Sequence, residues 1–146
     1  MIWGFDTSVL VAALVAPHPR HRDCRALLER SERGEAAGTI CAHALAETFS
    51  VLTRLPLRPA IRPADAELLV GREVAARLQV VPVDGAAQLE AIRAVTAAGR
   101  SGGAVHDALH VVCLRRAGVE RIWTLNRSDF IPFWDEAHIT EPGAAT

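Results

Sequence analysis

The sequence predicts an α/β fold of three layers, with helices on both faces of a central, mostly parallel sheet. Two observations carry this. Short apolar runs alternate with segments of helical spacing along nearly the whole chain, and acidic residues recur just after several of those runs. Size supplies a third constraint: 146 residues, half of them hydrophobic, are enough for one real core and too few for two ordinary ones. A single domain over residues 1–146 is expected.

Ile2 to Phe5 is a short apolar run ending at Asp6, and Thr7 or Ser8 can cap the apolar helix Val9 to Val15, which Pro17 and Pro19 close. His21 to Arg33 is amphipathic, with Cys24, Leu27 and Leu28 on one face, and Gly34 stops it. Gly38 to Cys41 forms a second strand, followed by the helix Ala42 to Arg54, where Glu47 stands among small or apolar neighbours. Pro56, Pro59 and Pro63 mark an irregular connection carrying Arg54, Arg58 and Arg62, which suits an RNA backbone, a partner protein or plain solvent. Pro63, Asp65 and Glu67 open a helix running to about Leu78. Gln79 to Val83 is the next strand and Gly85 to Ala98 the next helix. Gly102 and Gly103 separate it from the mostly apolar helix Ala104 to Arg116, whose first turn holds Asp107 and which Gly118 ends. Ile122 to Leu125 is a buried strand, Asn126 to Phe130 a turn at its carboxyl end, and a last short strand is expected near His138 to Thr140. A loose tail of small residues is expected over about 141–146.

Asp6, Glu47, Asp107 and Asp129 therefore share one kind of place, after a strand or at the start of the helix that follows, and in a parallel sheet such places lie along one edge. Taken singly, Asp6 is equally well a helix cap and Glu47 a solvated surface residue. Together, four carboxylates on one edge repel one another unless a hard divalent cation joins them. Mg²⁺ or Mn²⁺ prefers such oxygen ligands, and the site suits phosphodiester hydrolysis.

Composition narrows the setting. No apolar run reaches the roughly 18 residues of a membrane span, and the N-terminal block lacks the basic start of a signal peptide. Cys24, Cys41 and Cys113 are odd in number and widely spaced, so a cytoplasmic chain with reduced thiols is expected. All sixteen basic residues are Arg, yet the formal net charge is only −1, which gives no general attraction to nucleic acid; any RNA contact must be local.

The pattern FDTSVLVA, a central Glu in AHALAETFSVL, then GGAVHDALHV and WTLNRSDF resembles the PIN-domain ribonucleases, most of all the VapC-type toxins of bacterial toxin–antitoxin pairs. The resemblance spans essentially the whole chain, with four acids in order. It implies that Asp6 and Asp107 are the principal metal-binding acids, Glu47 the third and Asp129 the fourth, supported by Thr7, Thr124 and Asn126. Thr124 matches the threonine that precedes the fourth acid. Many members have Asp where Asn126 stands, so the fourth acid is either displaced to Asp129 or weaker here. The resemblance further implies Mg²⁺- or Mn²⁺-dependent endoribonuclease activity, a homodimer and inhibition by a cognate antitoxin.

Competing readings are a housekeeping RNA-processing nuclease of the same fold and a non-catalytic binding module that has lost its metal. His106 to His110, HDALH, also resembles the H-E-x-x-H helix of zinc peptidases, but Asp replaces the catalytic Glu and no third ligand follows at a familiar spacing. A haloacid-dehalogenase phosphatase needs a second Asp where Ser8 stands. For an antitoxin, Val9 to Val15, the helix after His21 and the connection near Arg58 are expected to form a groove, with an antitoxin Arg reaching the acids.

Overall fold

The structure, a computed structural model, describes residues 1–143. Five strands, β1 (Ile2–Phe5), β2 (Ala37–Cys41), β3 (Gln79–Val81), β4 (Arg121–Trp123) and β5 (Ile139–Thr140), form one sheet in the order β3-β2-β1-β4-β5, and every pairing is parallel. The helices are α1 (Thr7–Leu14), α2 (His21–Glu32), α3 (His43–Arg54), α4 (Pro63–Leu69), α5 (Gly85–Ala97), α6 (Ala104–Arg116) and α7 (Arg127–Phe130).

Strand alternation builds the two core layers. Trp3 and Phe5 of β1, Ile40 of β2 and Trp123 of β4 bury against α1 and α2, including Val9, Leu10, Cys24 and Leu28. The opposite face is covered by α5 and α6: Cys41 packs with Ala91, Val95 and Leu109, and Ile122 with Val111 and Leu114. This is the expected three-layer arrangement, and the sheet is parallel throughout.

Several boundaries differ from the sequence expectation. Strand β3 ends at Val81 because Pro82 has no N–H to continue a ladder. The helix expected from Pro63 to Leu78 is α-helical only to Leu69 and then widens into a π-helical turn over Val70–Ala75, with Ala76 N–H donating to Gly71 O (3.0 Å). Across that change the segment buries Ala66 beside Leu52 of α3 and Val74 in the main core. Asn126–Phe130, expected as a turn, contains the one-turn helix α7. The last strand is preceded by a 3₁₀ turn, Glu136–His138. Within the expected loose tail, Glu141 and Pro142 are held by the Arg20 guanidinium, and residues 144–146 lie outside the described ones.

Gly38 marks the closest approach in the sheet: a Cβ there would lie 2.6 Å from Leu78 Cδ2, 2.6 Å from Ser31 Oγ and 2.9 Å from Phe5 Cε2. Gly38→Ala is therefore expected to destabilise the fold by about 1–3 kcal/mol through overpacking. Urea unfolding checks this; an unchanged midpoint would refute it.

Candidate active site

The strand order reverses direction beside β1, so the crevice at the carboxyl ends of β1 and β4 is the switch point where open parallel sheets place ligands. Asp6 emerges there. Its N–H donates to Trp123 O (3.0 Å), tying it to β4, and the residue is only 5% exposed. It occupies the N-cap position of α1 without capping: its side chain bonds no helix N–H, and Oδ2 instead accepts from Ser8 Oγ (2.7 Å) and Thr124 Oγ1 (2.9 Å). Those hydroxyls are fixed in turn, Ser8 Oγ by the Leu125 N–H and Thr124 Oγ1 by the Asn126 N–H, both at 3.0 Å. The network loads one oxygen of Asp6.

Glu47 repeats the pattern from α3. Its Oε1 accepts from Thr7 Oγ1 (3.1 Å) and meets His110 Nε2 at 2.5 Å. Burial pushes the Glu47 pKa up, but the His110 hydrogen bond and charge, with help from His43 and Thr7, hold it below the usual range. His110 is 1% exposed; burial pushes its pKa down, yet the bond to Glu47 and the charges of Asp6, Glu47 and Asp107 outweigh this and raise it.

Asp107 lies in the first turn of α6 and is not a cap, since Gly103 holds that position. Burial, then the neighbouring charges of Asp6 and Asp129, push its pKa up to about 7. Asp129, exposed in α7, is thus near enough to act on Asp107, but Asn126 and not Asp129 lines the cleft. That cleft, about 540 Å³, is walled by Asp6, Thr7, Ser8, Glu47, Asp107 and Asn126, with Val11, Val51 and Leu55 as an apolar border.

The structure brings Asp6, Thr7, Glu47, Asp107, Thr124 and Asn126 to one locality and leaves Asp129 at its margin. It also supplies residues the sequence analysis did not place in the site, Ser8, His18 and Arg20 at the cleft, and it makes His110, which the sequence leaves as either packed or bordering the acids, both: buried, and the partner of Glu47. For Ser8 and His110 the signal was adjacency to Asp6 and the one-turn spacing from Asp107; Arg20 had none. Arg54, Arg58 and Arg62 do not line the cleft. The HDALH histidines do not converge as in a zinc helix: His110 is turned to Glu47, while His106 is exposed and hydrogen-bonded to His43 (2.9 Å).

The donor set fits a hard cation. The three acids that converge are carboxylate ligands, the hydrogen bonds to Asp6 and Glu47 fall on one oxygen of each, and burial, then the neighbouring like charges, make Asp107 resist ionisation. No helix among the described residues is long and apolar enough to cross a membrane.

A family model for the PIN domain matches residues 5–131. Ribonuclease VapC27 of Mycobacterium tuberculosis is 41% identical over 105 residues, covering 71% of this chain and 70% of that protein. Among solved structures, Mycobacterium tuberculosis VapC20, described as a sarcin–ricin loop cleaving toxin, superposes with a TM-score of 0.65 at 20% identity over 84% of this chain and 87% of that one. VapBC2 from Rickettsia felis, bound to a DNA fragment from its promoter, gives 0.69 at 15% identity over 97% and 98%. The two structural likenesses establish the fold.

Proposed function

The chain belongs to the PIN-domain family, and from that premise we propose that it is a metal-dependent endoribonuclease, the toxin of a toxin–antitoxin pair. The observation that carries the reading is the convergence of Asp6, Glu47 and Asp107, from three separate elements, on one cleft at the switch point. Asp6 and Asp107 would hold Mg²⁺ or Mn²⁺, with Glu47 and Asp129 completing the acidic set. When bound there, the ion would supply Lewis-acid activation of water and neutralisation of charge on the phosphate. The chain's part is to fix the donors: Ser8 and Thr124 hold Asp6, Thr7 and His110 hold Glu47, and the depressed pKa of Glu47 keeps it ionised at neutral pH.

A cognate antitoxin would enter the same cleft, with apolar residues on Val11, Val51 and Leu55 and an Arg on the carboxylates. This revises the expected groove, since neither Arg58 nor any residue of α2 lines the cleft. A homodimer would cover exposed Leu89 and Ile92 of α5, and sedimentation of the purified chain tests it. The chain is taken to form a single cytoplasmic domain, in keeping with its buried, free cysteines.

The deciding experiment is incubation of total RNA with purified protein and Mg²⁺, Mn²⁺ or EDTA, with mapping of the cut ends. Discrete cleavage sites are expected with either ion, and none with EDTA. Cleavage that persists in EDTA, or is absent under all conditions, would overturn the reading.

A further inference from the structure

His43 opens α3 and Glu47 follows one turn later; on α6, His106 and His110 have the same spacing. Two side-chain bridges, His43 to His106 and Glu47 to His110, join the pairs, each across 63 residues of sequence. The second belongs to the acidic cleft. The first has no part in the proposed reaction.

His43 Nε2 and His106 Nδ1 lie 2.9 Å apart, with ring planes 6° from parallel and centroids 5.0 Å apart. That combination puts the rings edge to edge, nitrogen facing nitrogen. Two nitrogens bound about 2.05 Å from one ion, at angles of about 90–110°, are themselves about 2.9–3.4 Å apart. His43 Nε2 is also 3.8 Å from Glu47 Oε1, and one ligand atom from each of the three residues falls within 4.8 Å of the others. Ring rotation would exchange the His–His hydrogen bond for a shared ion. His106 is exposed and His43 retains 28% side-chain exposure, so both can turn.

We propose that His43, Glu47 and His106 form a transition-metal site, taking Zn²⁺, Co²⁺ or Ni²⁺ in preference to Mg²⁺, on the wall between the acidic cleft and its neighbour. That neighbour is a groove of about 730 Å³ between α5 and α6, lined by His43 and His106, whereas Glu47 lines the acidic cleft. Two imidazoles and one carboxylate are a borderline donor set that selects these ions over Mg²⁺ and leaves a coordination position open. His110, donating to Glu47, fixes the third ligand as hydrogen-bonded partners of metal ligands commonly do. An ion here would withdraw Glu47 from the acidic set, so Zn²⁺ would inhibit Mg²⁺-dependent cleavage. The inhibition rests on the nuclease reading; the binding does not.

The test titrates the full chain with Zn²⁺ by calorimetry, and with Co²⁺ by visible absorption, in millimolar Mg²⁺. One equivalent should bind, and His43→Ala or His106→Ala should weaken it at least about tenfold, with folding checked by circular dichroism. The Asp6→Asn/Asp107→Asn variant should still bind. Should the His variants fail to fold, histidine side-chain ¹⁵N spectra of the unmutated chain replace them: His43 and His106 must shift on Zn²⁺ addition. Binding that survives loss of both histidines, or disappears when only Asp6 and Asp107 are changed, would overturn the site, as would unshifted His43 and His106 resonances. His106→Ala should cleave RNA at the unmodified rate without Zn²⁺ and resist Zn²⁺ inhibition. Binding without inhibition would remove the regulatory consequence alone, and a chain that binds Zn²⁺ but cuts no RNA would fail the nuclease reading alone.

Discussion

Asp107→Asn should lower RNA cleavage by more than about 100-fold at fixed Mg²⁺ while leaving the circular dichroism spectrum unchanged. That figure is the upper end of what is lost when a mere hydrogen-bond partner of a metal ligand is removed, and loss of a ligand itself should exceed it. Asn keeps the shape and one acceptor oxygen but not the charge. Asp6→Asn should behave alike, and the double variant should add little, because both act through one bound ion. The same substitution has an opposite effect on stability without divalent ions. The Asp107 pKa is raised from 3.8 to about 7, first by burial and then by Asp6 and Asp129. The folded state therefore holds this proton more tightly than the unfolded chain, and stability is lost as pH rises between those values. Asp107→Asn removes that penalty: its melting temperature in EDTA should exceed the unmodified protein's at pH 8 and match it below pH 4. Mg²⁺ should raise the melting temperature of the unmodified protein more than that of the variant. A folded Asp107→Asn protein that cleaves normally at low Mg²⁺ would refute the ligand assignment.

His110→Ala should destabilise the metal-free protein by about 2–4 kcal/mol near pH 5.5. Breaking a fully buried ion pair costs about 3–5 kcal/mol; Glu47 retains 29% side-chain exposure, which reduces that cost, and the cavity left by the ring adds to it. The sign of the pH dependence follows from both partners. The folded pKa of His110 is raised, so its contribution is full below about 6.5 and fades as pH rises through the folded value. The folded pKa of Glu47 is lowered, so its contribution is present above about 4.5 and fades as pH falls through the folded value. The loss should thus be largest between these limits and smaller at pH 9. Val111→Ala, a cavity in the adjacent buried position, serves as control, since its loss should not vary with pH. Urea unfolding at pH 5.5 and 9 measures both; a His110→Ala loss as flat as the control's would exclude the ion pair.

Much of this protein was legible locally. The strand at Ile2–Phe5, the helix opening at Pro63 and the stop at Gly118 follow from period and punctuation that operate over a few residues, and the parallel sheet follows from their alternation. Because acids placed after parallel strands come to one edge, the sequence by itself also determined that Asp6, Glu47 and Asp107 would share a locality. It could not say that Asp6 would serve Ser8 and Thr124 instead of capping α1, because 118 residues separate Asp6 from Thr124 and only the β1–β4 pairing joins them. Nor could it choose between Asn126 and Asp129, of which only Asn126 lines the cleft. The histidines show the limit most clearly. As HDALH they form a local motif on one helix, but the register of α3 beside α6 gives His110 to Glu47 and His106 to His43. Helical spacing fixes which residues share a face; which partner that face meets is set by the packing of distant segments, and only the tertiary structure decided it.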